Sequence, residues 1–227
     1  MLITRGNARG PRRLRELLVF PVLISVSNYV AIGFLNTTMG ALIPLFLAMP
    51  VEIGGLGQPP HKIGLILSAY GVATGFFQVL FFARMVHRFG ERRVFINGLM
   101  TCAPVFSLFP IISMIARHSG ISFMVYILVG CILALGAVMD TSFGAIFIFV
   151  TSSAPKSSRG AVNGMSQTLV ALARAIGPAM ATSLFSFSVQ HNILGGYMVY
   201  LVFVILSGFA LVLAKHLPAE VWEELDD

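Results

Sequence analysis

The stretch AIGPAMATSLFSFSVQHNILGGYMVYLVFVILSGFALVLA, Ala175 to Ala214, runs for 40 residues without an Asp, Glu, Lys or Arg. A bilayer core is crossed by a helix of about 20 apolar residues. The turn-forming residues from Gln190 to Gly196 divide the stretch into two such crossings. The same pattern extends upstream. Uncharged runs of 35 residues separate Glu16 from Glu52, 21 separate Lys62 from Arg84, 23 separate Arg93 from Arg117, and 22 separate Arg117 from Asp140. The chain is 57% hydrophobic and 11% charged, against about 25% charged in a soluble domain. Nothing is left over for an independent soluble domain. Backbone groups in lipid must be satisfied internally, so these runs predict helices. The fold class is an all-α, polytopic transmembrane bundle.

Six spans are expected, at 17–48, 62–86, 93–116, 121–151, 160–188 and 194–214, making a membrane domain over 17–216. A basic leader, 1–16, precedes it and an acidic tail, 217–227, follows. Glycine and proline between Pro50 and His61, the short His118-Ser119-Gly120, and SSAPKSSRG from Ser152 supply breaks. The first span is too long for one straight crossing of a core about 30 Å thick, and Gly33, Gly40 and Pro44 offer places to bend. Its length also separates it from the 7–15-residue apolar core of a signal peptide. Asn36-Thr37-Thr38 matches a glycosylation sequon but lies inside this span, and is expected to be unmodified. Cys102 and Cys131 fall in apolar runs and read as small buried thiols rather than a disulfide or metal pair.

Basic residues set the orientation. With both termini in the cytosol, the cytosolic side holds Arg5, Arg9, Arg12, Arg13, Arg15, Arg84, Arg88, Arg92, Arg93, Lys156, Arg159 and Lys215, and the opposite side only Lys62 and Arg117. Twelve against two is a strong positive-inside bias. It accounts for the net charge of +6 without invoking nucleic acid as a partner. The bilayer is the partner that the composition demands.

Two charges fall within spans, where an ionisable group is a functional hypothesis by default. Asp140 lies ten residues before Val150 and Arg174 lies 14 after Gly160, at roughly similar depths of about 15 and 21 Å. They are expected to pair, either as a fixed lock between helices or as a substrate- or proton-coupling element. Gly136, Asp140 and Gly144 share one helical face whose small residues let a neighbour approach and enclose the carboxyl. Polar stripes recur: Asn163, Gln167 and Arg174 on the fifth span, Ser25, Tyr29 and Asn36 on the first, and Tyr70, Thr74 and Gln78 on the second. A polar stripe does not face lipid. These side chains line a solute cavity or act as hydrogen-bond glue between helices, each bond worth about 0.6 kcal/mol.

Signals for other chemistry are missing from the sequence. His61, His87, His118, His191 and His216 sit at span ends or in loops without metal-ligand spacing, so no metal site is expected. No Gly-Lys-Ser/Thr run cradles a phosphate, so ATP is not expected to act directly and no cofactor is called for. No Ser–His or paired-carboxylate constellation lies within the spans, and an enzyme is not expected.

ARMVHRFGERR, Ala83 to Arg93, resembles the loop motif GxLxDRxGRR of the major facilitator superfamily. Arg88, Gly90 and Arg92 match; Ala83, Met85, His87 and Glu91 depart, as in the degraded copy of that motif in the second half of those transporters. Arg159 to Ser186 and Ile53 to Gln78 are similar to the eleventh helix and to the loop and eighth helix of fungal members. The resemblance covers about 17–215 and implies helices seven to twelve of a twelve-helix secondary transporter, nearest a fungal drug:proton antiporter branch. It implies a small-molecule solute moved by alternating access, gradient (proton) coupling, and a plasma or vacuolar membrane. It also implies a cytosolic gate loop of Arg84, His87, Arg88, Gly90, Arg92 and Arg93. Such transporters bind solute between two six-helix halves. The expectation is therefore a missing N-terminal half or a partner half, with a truncated half of structural or regulatory role as the alternative.

Overall fold

The computed structural model describes residues 19–156 and 158–218. The basic leader, residues 17 and 18 of the first expected span, and most of the acidic tail lie outside them. The helices are α1 (Phe20–Ala48), α2 (Pro60–Phe89), α3 (Glu91–Met100), α4 (Cys102–Ser119), α5 (Phe123–Ser152), α6 (Arg159–Gln190) and α7 (Met198–Ala214), and no strand occurs among the described residues. The chain is an all-α transmembrane bundle of six spans, the third made of α3 and α4 in tandem.

Five spans are 29–32 residues long, about 44–48 Å at 1.5 Å per residue. That matches a whole bilayer with its headgroup regions, ~40–45 Å, rather than the hydrocarbon alone. The sixth begins at Met198, four residues after the expected start. Asn192 (φ 49°), Leu194 (φ 52°) and Gly195 (φ 69°) are left-handed, which a right-handed helix does not accommodate. The break in the third span has a local cause. Pro104 has no N–H for the Met100 carbonyl and its ring crowds that turn. The Thr101 hydroxyl bridges the joint, donating to the carbonyls of Gly98 (2.7 Å) and Leu135 on α5 (3.2 Å).

α1 is the central element; its most extensive contact is with α6, then α5 and α7. The buried residues of α6, Val162, Ser166, Val170, Ala173, Gly177, Ala181, Phe185 and Ser188, recur every three or four positions and form one seam. At Gly177 an added Cβ would lie 2.8 Å from Thr37 Oγ1 and 3.2 Å from the Phe34 carbonyl, so only glycine allows this approach. Between α1, α4 and α7, Phe109 meets Phe46 edge-on (centroids 5.0 Å apart) and stacks on Tyr200 (5.1 Å), and Phe106 packs against Phe203 (5.3 Å). α3 packs on α5. By contrast, α2 has no fully buried residue and is peripheral.

α1 is one helix through Gly33, Gly40 and Pro44, and Gly33 serves packing, since a Cβ there would lie 3.1 Å from Val170. One expectation needs correction. Cys102 is buried, but Cys131 is exposed on α5. Lipid is as apolar as the protein interior, so an apolar run does not distinguish an inward from an outward position.

The Met49–Gln58 segment folds back on the end of α1, with Leu56 N–H donating to Phe46 O (2.9 Å), Gly57 to Met49 O (2.7 Å) and Gln58 to Leu47 O (2.8 Å). Arg117 fastens it from α4, donating from Nε to the Val51 carbonyl (3.2 Å) while lying over the Tyr197 ring (5.6 Å).

Candidate functional site

Asp140 lies mid-span on α5, half-buried. The small residues flanking it seat α1 and α2 side chains. Gly136 faces the Met39 side chain and the Tyr70 hydroxyl, and Gly144 faces the Phe82 ring. The approach expected at this face is thus made by side chains, not by a neighbouring backbone. Asn36 Nδ2 donates to Asp140 Oδ1 (2.5 Å), and the Tyr70 hydroxyl donates to Oδ2 (3.2 Å). Both carboxyl oxygens therefore have partners, from the first and second spans. The sequon asparagine is engaged in this contact inside a helix.

The expected Asp140–Arg174 pair does not form. Arg174 instead lies over the ring of Phe143, 4.7 Å from its centroid. The carboxyl is taken up instead by α1 and α2, where Asn36 and Tyr70 hold both of its oxygens. Depth along a span, which is what the sequence supplies, does not say which neighbouring helix a side chain meets.

A second set of contacts adjoins the first. Gln167 Nε2 donates to the Tyr29 hydroxyl (3.2 Å), and Tyr29 meets Phe143 edge-on, with centroids 5.2 Å apart. Phe143 is three residues after Asp140 on α5. The result is one continuous polar and aromatic band across α1, α2, α5 and α6. Phe143 carries no sequence signal, because an aromatic residue in an apolar span is ordinary. Arg174 and Gln167 are exposed at the edge of this band. An Arg at a helix centre costs roughly 2.5–3.5 kcal/mol on insertion scales, and a cation–π contact offsets about 0.5–2. The residue of that cost, and the position of Arg174 midway along the 32-residue α6, require a polar medium or a polar partner rather than lipid.

The other stripe residues divide. Ser25 is fully buried in helix packing, and its hydroxyl has no partner among the described residues. Asn163 is half-buried and its Oδ1 accepts nothing among the described residues. Thr74 lines, with Tyr70, a largely apolar groove of about 670 Å³ between α2 and α5. Gln78 reaches the Ala137 carbonyl at 3.5 Å, a contact between those same helices.

At the RFGERR loop, Gly90 (φ 80°, ψ 156°) alone separates α2 from α3; that backbone is open only to glycine. Arg84 donates to the Leu80 carbonyl (3.0 Å) and Arg88 lies over Phe89 (5.8 Å), while His87 and Arg93 are exposed. Arg92 Nη2 donates to the Lys215 carbonyl (3.2 Å) at the end of α7, a cation at a helix C-terminus, where the dipole favours it.

The family model described as Major Facilitator Superfamily matches residues 23–222. The chain belongs to that superfamily. It is 27% identical over 208 residues to a major facilitator-type transporter, psiT2, of Psilocybe cyanescens, covering 87% of this chain and 39% of that protein. It is 29% identical over 213 residues to the efflux pump azaK of Aspergillus niger, covering 92% and 44%. It is 25% identical over 217 residues to Protein ZINC INDUCED FACILITATOR 1 of Arabidopsis thaliana, again covering 92% and 44%. This facilitator chain thus spans about two-fifths of the length of the curated relatives it matches. No solved structure matches it.

Proposed function

We propose that this chain is the C-terminal six-helix part of a secondary transporter that moves a small solute by alternating access, with Asp140 coupling transport to a proton gradient. The observation that carries the proposal is the band across α1, α2, α5 and α6. It combines a half-buried carboxyl held by Asn36 and Tyr70 with an exposed guanidinium at the same level of the bundle. Transporter sites of this class lie near the bilayer midplane between repeats. Family membership and relatives named as transporters support the same reading. The other half of the site would come from another six-helix unit. The RFGERR loop acts as a cytosolic clasp through Arg92 at the end of α7. The basic bias supports a topology with both termini in the cytosol, and the membrane in this reading is the plasma or vacuolar membrane.

The test is proton flux in vesicles carrying the full-length protein and a trapped pH-sensitive dye, screened for solutes that dissipate an imposed pH gradient. The wild type is expected to show solute-dependent flux. Asp140→Asn, which keeps the shape of the group but holds no exchangeable charge, is expected to lose that flux while still exchanging labelled solute without a gradient. Unchanged proton flux would remove Asp140 from coupling. Loss of a monodisperse protein would assign it a structural role.

A further inference from the structure

Resting on the transporter reading, we infer that the solute carries an anionic group, a carboxylate or phosphate next to an aromatic or apolar body, and that Arg174 receives that group. Four features converge on this. Arg174 is exposed, and among the described residues its recorded contact is the face of Phe143 at 4.7 Å, not a carboxylate. The nearby Asp140 has both oxygens engaged by Asn36 and Tyr70, so it is not held by the guanidinium. The Phe143 ring covers the guanidinium at 4.7 Å from its centroid, and no carboxylate takes its N–H groups among the described residues, which leaves them for bidentate recognition of a planar anion. Gln167, two turns before Arg174 on the same side of α6, donates from its NH₂ to Tyr29 at 3.2 Å, which fixes the amide and leaves its carbonyl oxygen for a hydroxyl or N–H of the same ligand.

The surroundings suit the rest of such a molecule. On the flank of α6 beside Arg174 lie the exposed Ala171 and Ala175 and the half-buried Pro178, small side chains that leave room for a body of modest size. A neutral or cationic solute would offer the guanidinium no partner of opposite charge.

The test uses the intact protein in lipid nanodiscs, with binding read by saturation-transfer NMR for benzoate, phenyl phosphate and the neutral isostere benzamide. Benzoate and phenyl phosphate are expected to bind at least tenfold more tightly than benzamide. Arg174→Gln is expected to abolish that preference without changing the thermal midpoint by more than a few degrees, and Arg174→Lys to retain part of it. Equal binding of benzoate and benzamide to the wild type overturns the inference, as does benzoate binding that survives Arg174→Gln. No binding of either anion overturns it too, and assigns Arg174 to a carboxylate elsewhere in the protein. The two proposals fail separately. Solute-driven proton flux with no anion preference leaves the transporter reading standing. Arg174-dependent anion binding without flux sinks the transporter reading and keeps the anion site.

Discussion

Asp140 owes its position to residues that are small. Gly136 lets the Tyr70 hydroxyl reach the carboxyl, and an added Cβ there would lie 2.9 Å from that hydroxyl. Gly136→Ala is therefore expected to displace Tyr70 and impair solute-dependent proton flux, much as Tyr70→Phe does. The matching measurement is the same dye-loaded vesicle assay, and wild-type flux in both variants would show that the Tyr70 contact is dispensable. Asn36→Ala leaves Oδ1 without a donor. In a membrane such a contact is worth about 0.6–2 kcal/mol, so a lower thermal midpoint in detergent is expected, with Asn36→Asp worse because it sets two carboxyls together. The stripe spacing made Asn36, Tyr70 and Gln167 visible in the sequence. Their partners were not visible, since spacing along one helix says nothing about which helix faces it.

At the scale of elements, the α3–α4 joint and the α1–α6 seam are the places where local chemistry governs packing. Thr101→Val removes the hydroxyl that ties the joint to the Leu135 carbonyl. It should cost about 0.6–2 kcal/mol, measured as a shift in the thermal unfolding of the purified protein. Gly98→Ala should cost more, about 1–3 kcal/mol from overpacking, because its Cβ would meet Ser142 and lie 2.8 Å from the Val138 carbonyl. Gly164→Ala, where nothing lies within 4 Å, serves as the control and should leave the midpoint near wild type. Equal effects at Gly98 and Gly164 would mean that the α3–α5 contact is looser than described. The break at Pro104 was legible as chemistry but was not expected as a joint, because the uncharged run continues straight through it.

For the whole molecule, orientation and extent are the properties to measure. With both termini cytosolic, a cysteine at His118 should react with a membrane-impermeant maleimide added outside intact cells, and one at Lys156 should react only after permeabilisation. The reverse pattern would invert the topology. An antibody to the acidic tail is expected to detect the endogenous protein on a denaturing gel near twice the 24.5 kDa of this chain. A band at 24.5 kDa would instead favour a half-length protein that pairs with a partner or serves a structural role. By itself, the sequence determined the class, the number of spans and the family motif, because a charge in hydrocarbon costs enough to be written into composition. It also singled out Asp140 and Arg174. Only the tertiary structure decided that these two do not pair, that Cys131 faces outward, and that Phe143 joins Arg174 to Tyr29. In a membrane, inside and outside are both apolar, so burial leaves little periodic trace in the sequence. The direction of a side chain then depends on how antiparallel helices are set against one another.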